Sequence, residues 1–128
     1  IINTGSPHYI VFKETTEMLD VVQEGREIRF SKEYQDEGIN VDFVAASGNS
    51  LRVRTYERGV ENETLSCGTG ILASAMAWAY KCNLNNMEYH ISCPGGKLKA
   101  GFMRDNDSFK GVWIEGPAVK VFQGNISL

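Results

Sequence analysis

Alternating hydrophobic and polar positions predict three strands in the first half of the chain. Residues 10–12 are a short apolar run after a Gly-Ser-Pro interruption, which is typical of a strand. Apolar and polar residues alternate over 40–46 and again over 51–57, and each alternation indicates a strand. The Ser-Gly-Asn-Ser sequence at 47–50 is a turn signal, so we expect the last two strands to form a β-hairpin.

Two segments predict helices of different kinds. Residues 20–32 indicate a surface helix with Asp20 as its N-cap, although Gly25 is unfavourable inside a helix. Residues 68–81 (GTGILASAMAWAYK) carry no charge before the final lysine and are apolar on nearly every face. A helix that is apolar all round is normally buried all round. In a small domain we therefore expect a sheet to curl around this second helix.

Four more strand-like runs follow the apolar helix, at 88–93, 97–103, 110–115 and 119–126. Turn-forming residues such as Pro94-Gly95-Gly96 separate them, and we assign no chemistry to these turns. The prediction for residues 1–128 is one α+β domain. In it a strongly curved, mostly antiparallel or mixed sheet wraps around one central buried helix.

Composition argues against several classes of function. The 128 residues include 13 basic and 16 acidic side chains, which give a net charge of −3, and no basic block occurs. Binding to nucleic acid or to an anionic membrane is therefore not expected. The longest apolar stretch, 71–80, is too short to span a bilayer. The three cysteines form neither a disulfide framework nor a zinc-type spacing, so we expect a cytoplasmic protein without a metal site.

The start of the apolar helix carries the clearest candidate chemistry. The first turn of a helix presents free backbone N–H groups, and Gly68 and Gly70 would let a carboxylate approach them closely. The same positive field would stabilise a thiolate at Cys67. Nearby in sequence, Glu57 could bind an ammonium group and Arg58 a second carboxylate. Together these groups could hold an amino acid with its α-carbon against the sulfur.

Each of these residues also fits an ordinary structural role. Cys67 could be a small core residue, the glycines after it a loop-to-helix turn, and the Glu57-Arg58 pair a solvated hairpin end. His8 could be a turn residue and Asn40 the first residue of a strand. We expect the other two cysteines, at 82 and 93, to be inert core residues, because nothing around them in the sequence activates a thiol.

Five motifs occur in an order that is characteristic of one enzyme family. The most specific combines Tyr56-Glu57-Arg58-Gly59-Val60, Glu63-Thr64 and Cys67-Gly68-Thr69-Gly70. The others are Gly5-Ser6-Pro7-His8, Gly38-Ile39-Asn40-Val41, Pro94-Gly95-Gly96-Lys97-Leu98, and Gly116-Pro117-Ala118-Val119 with Val121-Phe122-Gln123-Gly124. Over essentially the whole chain they resemble the motifs of the second half of diaminopimelate epimerase. The Cys-Gly-Thr-Gly tetrapeptide alone would also suit proline racemase, which shares the fold.

The resemblance implies a cofactor-independent isomerase of lysine and peptidoglycan precursor synthesis. Such an enzyme inverts one α-carbon of LL-diaminopimelate to give the meso form. Family members have two similar domains with the substrate between them, and each domain supplies one catalytic cysteine. One cysteine removes the α-proton as a thiolate, and the other delivers a proton to the opposite face as a thiol. Inversion needs such a pair, because the acid and the base must act on opposite faces.

The resemblance also implies roles for individual residues. Cys67 corresponds to the second catalytic cysteine, and His8 to a histidine close to its thiol. The backbone donors to the α-carboxylate correspond to Gly68 and Thr69. The group that receives the α-ammonium corresponds to Glu57.

The far end of the substrate is assigned in the same way. Arg58 corresponds to the residue that binds the distal carboxylate, and Asn40 to an amide at that end. Ser6 stands where the family usually has a substrate-contacting asparagine, so this contact is expected to be lost or bridged by water. The Glu61-Asn62 pair adds one residue to the usual spacing before Glu63.

The largest departure from the family is a missing first domain. The chain starts at Ile1 rather than at a methionine and has no second cysteine in a Gly-Asn-Gly context. We therefore expect an isolated C-terminal half that is inactive alone and forms a homodimer through its uncovered apolar face. Two alternatives remain open: a same-fold isomerase of another substrate (proline racemase-like or phenazine-type), and a non-catalytic amino-acid-binding module.

Overall fold

The computed structural model describes residues 1–85 and 88–127, and within these ranges it contains two helices and eight strands. In chain order the elements are β1 (Ile2–Asn3), β2 (Pro7–Phe12), α1 (Val21–Arg29), β3 (Asn40–Ser47), β4 (Ser50–Glu57), β5 (Asn62–Thr64), α2 (Gly68–Lys81), β6 (Glu88–Cys93), β7 (Gly96–Asp105) and β8 (Ser108–Glu115). Neither helix is long and apolar enough to cross a lipid bilayer within these described ranges.

The strands form one mixed sheet in the order β1-β2-β3-β4-β6-β7-β8, and β5 adds to β4 off this path. The pairs β2–β3 and β4–β6 are parallel, whereas the other pairs are antiparallel. The hairpin predicted around 47–50 is confirmed, because β3 and β4 pair antiparallel with Ser47 opposite Ser50. The predicted α+β class, with a curved mixed sheet around a helix, is also confirmed.

Helix α2 lies against the sheet and has the bounds that its composition predicts, 68–81. It contacts strands from both ends of the sheet, β1–β4 as well as β7 and β8. Its buried residues, including Ile71 and Ala75, join one core cluster with Val53 and Phe102 of the strands. The expectation of burial on every side is wrong in detail. Leu72 is only partly buried and Tyr80 is 56% exposed, because the curved sheet does not close completely around the helix.

Helix α1 covers the other side of the sheet. Its N-cap is Asp20 as predicted, since the Asp20 side chain accepts a hydrogen bond from the Gln23 N–H, but the helix ends at Arg29 rather than at residue 32. Gly25 has a packing role that the sequence did not show. A Cβ atom there would lie 2.4 Å from the Cβ of Tyr56, so only glycine lets the helix approach β4 this closely.

Strand β3 is consequently buried on both of its faces. Val41 and Phe43 belong to the cluster under α1, whereas Val44 belongs to the cluster around α2. The alternating polar position Asp42 therefore points away from solvent and is fully buried. This placement brings a carboxylate into the interior beside the start of α2.

The strand predicted at 119–126 is wrong. Residues 116–127 form no helix or strand, and the apolar side chains of this segment are 83–90% exposed at Val119, Val121, Phe122 and Ile126. A strand needs a hydrogen-bonded neighbour to satisfy its backbone groups. This segment pairs with no strand of the described chain, so its backbone groups lack the neighbour that a strand requires.

Candidate active site

The site is assembled where β2 and β3 run beside the first turn of α2. His8 lies inside β2, opposite Asn40 of β3, and its side chain is fully buried. The interpretation of His8 as a turn residue is therefore wrong, because β2 begins already at Pro7. Thr69 of α2 lies over the same two strands. Its backbone carbonyl accepts a hydrogen bond from the Thr4 hydroxyl at 2.8 Å.

A continuous chain of polar contacts links the buried interior to the thiol. The Nδ1 atom of His8 lies 2.6 Å from Oδ2 of Asp42, and its Nε2 atom lies 2.9 Å from the hydroxyl of Thr69. The same Thr69 hydroxyl lies 3.5 Å from the sulfur of Cys67. On the far side, the Thr55 hydroxyl donates to Oδ1 of Asp42 at 2.6 Å. Three side chains therefore connect Thr55 to Cys67.

The amide of Asn40 organises a second branch of the site. Its nitrogen donates to the Ser6 hydroxyl at 2.8 Å and to the Pro7 carbonyl at 3.2 Å, and it lies 3.4 Å from Nε2 of His8. Its oxygen accepts from the backbone N–H of Arg58 at 3.0 Å. Asn40 thus joins the loop before β2 to the end of β4.

Glu57 and Arg58 follow one another where β4 ends. The Nη1 atom of Arg58 donates to the carbonyls of Glu37 and Gly38, at 2.9 and 3.2 Å. Within the described ranges, no side-chain hydrogen bond or ion pair involves Nη2 of Arg58 or the carboxylate of Glu57. The guanidinium is therefore held from one edge, while the carboxylate of the preceding residue is available for a ligand.

The start of α2 has the properties of an anion-binding site. Cys67 is its N-cap and makes no capping hydrogen bond through its side chain, and the first turn contains no acidic residue. The first backbone bond of the helix runs from Ile71 N–H to the Cys67 carbonyl at 2.9 Å, so the N–H groups of residues 68–70 have no intrahelical acceptor. In α1, by contrast, Asp20 caps the first turn and Glu24 lies within it.

The segment before Cys67 is fixed by the additional strand β5. Arg54 of β4 makes a two-pronged ion pair with Glu63 of β5, with both N–O distances at 2.7 Å. The hydrogen bonds that Arg54 donates to the Glu63 carboxylate raise the pKa of Arg54. Beyond β5, the Leu65 carbonyl accepts from Gly95 N–H at 2.7 Å. The turn at Gly95, to which the sequence assigned no chemistry, therefore supports the loop that carries the thiol.

Glu61 closes the turn between β4 and β5. Glu61 adopts a positive φ of 57°. Its carboxylate accepts from Gly59 N–H, from the Tyr56 hydroxyl and from Arg29. Burial alone would raise the pKa of Glu61, but these donors outweigh that effect and hold the pKa below its ordinary value. Glu61 is thus held by its own hydrogen bonds, and Glu63 keeps its ion pair with Arg54.

The other two cysteines lie outside this arrangement. Cys82 is the C-cap of α2 and is exposed, and Cys93 is partly buried with its thiol 3.4 Å from the Gly96 carbonyl. The prediction that both are core residues is wrong for Cys82, which is exposed at the end of α2, whereas Cys93 packs against the edge of the core cluster around α2. Cys82 lies at the C-terminal end of the α2 dipole and Cys67 at its N-terminal end, so opposite fields act on the two sulfurs.

The structure thus brings five predicted site residues into one network: Ser6, His8, Asn40, Cys67 and Thr69. Gly68 lies between Cys67 and Thr69 in the chain, and the backbone of Arg58 joins the network through Asn40. Glu57 is adjacent in sequence but makes no side-chain contact to the network in the described chain. Two members were missed by the sequence reasoning, Asp42 and Thr55. A signal was present, because β3 carries apolar residues on both faces (Val41 and Val44), which indicates burial on both sides and hence a buried carboxylate between them.

The candidate site lies apart from a cavity that the sheet forms. A cavity of about 720 Å³ lies between β3, β4, β6 and β7, and none of the eight candidate site residues lines it. No cluster of three or more His, Cys, Asp and Glu side chains within residues 1–85 and 88–127 is arranged to hold a metal ion. The arrangement instead offers a thiol, a buried His–Asp pair and free N–H groups.

Comparison with known proteins assigns the family. The family model for diaminopimelate epimerase matches residues 1–121. The chain is 43% identical over 126 residues to diaminopimelate epimerase of Flavobacterium psychrophilum and 42% identical over 128 residues to that of Aquifex aeolicus. The alignments cover 98% of this chain but 49% and 45% of those relatives. The chain belongs to the diaminopimelate epimerase family and spans about half the length of the curated relatives that it matches.

Solved structures support the fold independently. A phenazine biosynthesis protein of the PhzF family from Enterococcus faecalis matches with a TM-score of 0.57 at 21% identity, over 76% of this chain and 34% of that chain. An epimerase structure from Pseudomonas aeruginosa, described as a predicted epimerase, matches with a TM-score of 0.57 at 14% identity, over 83% and 36%. At such identities the likeness concerns the fold alone.

Proposed function

We propose that this chain forms one catalytic half of a diaminopimelate epimerase, an enzyme that converts LL-diaminopimelate to the meso form. The observation that carries the proposal is the uncapped start of α2, where a cysteine and free N–H groups meet in a chain of this family. The reaction would serve lysine and peptidoglycan precursor synthesis in the cytoplasm. It requires no cofactor, because a thiolate and a thiol can perform both proton transfers.

The substrate would be held at both of its ends. The N–H groups of Gly68 and Thr69 would bind the α-carboxylate, where the helix dipole also favours negative charge. The carboxylate of Glu57 would receive the α-ammonium group. The free edge of the Arg58 guanidinium would bind the distal carboxylate, with Asn40 and Ser6 beside it.

The chemistry follows from this orientation. The Cys67 thiolate would remove the α-proton, and the electron pair left on the α-carbon would be delocalised into the α-carboxylate. The N–H groups at the start of α2 would stabilise the negative charge that develops there. A second thiol would deliver a proton to the opposite face of the carbon. In the reverse direction the two sulfurs would exchange roles.

The second thiol would have to come from a partner domain. Cys82 lies at the other end of α2, about 20 Å from Cys67 at about 1.5 Å per residue. The chain also spans only about half the length of its relatives. We therefore propose that the partner is the other, N-terminal domain of the same enzyme, which would complete the cleft and exclude water.

The decisive experiment follows exchange of the α-proton in deuterated solvent. The chain alone should neither epimerise diaminopimelate nor exchange its α-proton, and activity should appear on mixing with an N-terminal epimerase domain. Cys67→Ala should abolish this activity, whereas the matched variant Cys82→Ala should retain it. Epimerisation by the chain alone, lost in Cys67→Ala, would disprove the half-site. The absence of activity in the mixture with both domains folded would disprove the proposed function.

A second experiment tests substrate recognition at the distal end. Lysine differs from diaminopimelate by the absence of the distal carboxylate, so the mixed domains should bind diaminopimelate more tightly than lysine. Arg58→Gln should remove most of that preference and leave the affinity for lysine nearly unchanged. If the wild type and Arg58→Gln preferred diaminopimelate over lysine equally, another residue would bind the distal carboxylate. Binding without any turnover would favour the amino-acid-binding module instead.

A further inference from the structure

We infer that Asp42 is a positioning residue for Cys67. It fixes His8 as a proton acceptor on its Nε2 side, and the Thr69 hydroxyl carries the proton from the thiol to that nitrogen. The role of the thiol rests on the proposed function, whereas the protonation of His8 can be tested without it. Asp42 and Thr55 belong to none of the five sequence motifs. They lie inside strands β3 and β4.

The contacts of the two ring nitrogens determine which nitrogen of neutral His8 carries the hydrogen. The Asn40 oxygen accepts from the backbone N–H of Arg58, and its nitrogen donates to the backbone carbonyl of Pro7, so the amide cannot be flipped. Its NH₂ group therefore lies 3.4 Å from Nε2 of His8. Both hydrogens of this group are already donated, to the Ser6 hydroxyl and the Pro7 carbonyl, so the tautomer follows from the opposite side of the ring. A carboxylate can only accept, so Nδ1, which faces Asp42, carries the hydrogen and Nε2 carries the lone pair. That hydrogen is donated to Asp42 at 2.6 Å.

Asp42 is itself held in one orientation. Its side chain has no exposed surface, one oxygen faces His8 and the other accepts from the Thr55 hydroxyl at 2.6 Å. The first turn of α2 closes over it, because a Cβ atom at Gly70 would lie 2.4 Å from that second oxygen. A carboxylate buried in this way is stable only when it is paired, and an imidazolium at His8 would be its natural counter-ion.

The network permits a balanced transfer of one proton. The thiol of Cys67 gives its proton to the Thr69 oxygen, 3.5 Å away, while the Thr69 hydroxyl gives its own proton to Nε2 of His8, 2.9 Å away. The products are a thiolate, an unchanged threonine hydroxyl and an imidazolium paired with Asp42. In the part of the chain that the structure describes, two titratable groups reach His8. Asp42 of β3 contacts it directly, and Cys67 at the start of α2 reaches it through Thr69.

The first test is the tautomer of His8 in the unmodified chain. Nitrogen-15 NMR of the imidazole rings, recorded where both histidines are neutral, distinguishes a protonated Nδ1 from a protonated Nε2. We expect His8 to carry its hydrogen on Nδ1, and exposed His90 serves as the reference ring. A hydrogen on Nε2 of neutral His8 would overturn the inference, and the measurement needs no substitution.

The second test measures the nucleophilicity of the Cys67 thiol by mass-mapped alkylation, with Cys82 in the same molecule as the reference. Asp42→Asn keeps the shape of the side chain but removes its charge, and it should slow alkylation of Cys67 about tenfold or more, as expected for a lost hydrogen bond to a charged group. Asp36→Asn makes the same chemical change at an exposed position and should have no effect. Equal rates in wild type and Asp42→Asn would overturn the role of Asp42.

The relay through Thr69 has its own matched pair of variants. Thr69→Ser keeps a hydroxyl and should keep the fast alkylation of Cys67, whereas Thr69→Val keeps the volume and should slow it as Asp42→Asn does. Equal rates in the two variants would show that the hydroxyl transfers no proton. Epimerase activity does not enter these measurements, so the inference can fail while the proposed function stands. Inactive mixed domains with the expected tautomer and rates would refute the proposed function alone.

Discussion

Gly70→Ala tests whether the start of α2 is as tightly packed as the structure shows. In an ordinary helix the change from glycine to alanine stabilises by about 1 kcal/mol. Here the added Cβ atom would lie 2.4 Å from Oδ1 of Asp42 and 3.1 Å from Cε1 of His8. Ordinary contact begins at 3.4 Å, so the neighbours would have to move by about 1 Å.

The neighbours cannot move without losing an interaction. Asp42 is held by the short hydrogen bonds to His8 and Thr55, both at 2.6 Å. Overpacking of this kind costs about 1–3 kcal/mol, and a hydrogen bond to a charged group contributes about 1.5–3 kcal/mol. After the gain in helix propensity is subtracted, Gly70→Ala should destabilise the fold by about 2–5 kcal/mol. The melting temperature should fall by roughly 6–15 °C.

Gly68→Ala is the matched control, because it adds the same methyl group in the same helical turn. The nearest atom to a Cβ at Gly68 is Cδ1 of Ile114 at 3.9 Å, an ordinary contact. Its stability should equal that of the wild type or exceed it by up to about 1 kcal/mol, the gain in helix propensity. Urea unfolding followed by circular dichroism measures both variants. If Gly70→Ala were as stable as Gly68→Ala, the packing of α2 against the His8–Asp42 pair would be wrong.

Three further predictions concern other parts of the molecule. The buried hydroxyl of Ser74 in α2 has no hydrogen-bond partner among the described residues; Ser74→Ala should therefore stabilise by about 0.5–1.5 kcal/mol in urea unfolding, and a loss of stability would indicate a partner. The lowered pKa of Glu61 means that its carboxylate stabilises the fold above the unfolded-state pKa, and this contribution is lost as the pH falls through the folded-state pKa. The stability difference between wild type and Glu61→Gln should thus be largest at neutral pH and shrink below about pH 4, and a difference independent of pH would contradict the assigned hydrogen bonds. Finally, β8 exposes 38–42% of Val112, Trp113 and Ile114, so the chain should form a concentration-dependent dimer, which a monomer at high concentration in light scattering would exclude.

Several features followed directly from the sequence because they depend on local pattern. The nearly uniform apolar composition of 68–81, uncharged up to Lys81, indicated the bounds of α2 and implied that a sheet must curve around it. The turn at 47–50 gave the hairpin of β3 and β4. Asp20 was recognisable as an N-cap because capping is a contact between residues three positions apart.

Other features were decided only when elements met in space. Alternation along β3 shows that its two faces differ, but it cannot show that α1 covers one face and α2 the other. Asp42, a polar position in that alternation, therefore lies in the interior only because both helices pack on the strand. The segment 119–126 has the pattern of a strand, yet a strand exists only with a partner, and none pairs with it in the described chain. The link from Asp42 through His8 and Thr69 to Cys67 joins three distant parts of the sequence. Local pattern determines which surfaces are apolar, whereas the packing of distant elements determines which polar groups are buried together.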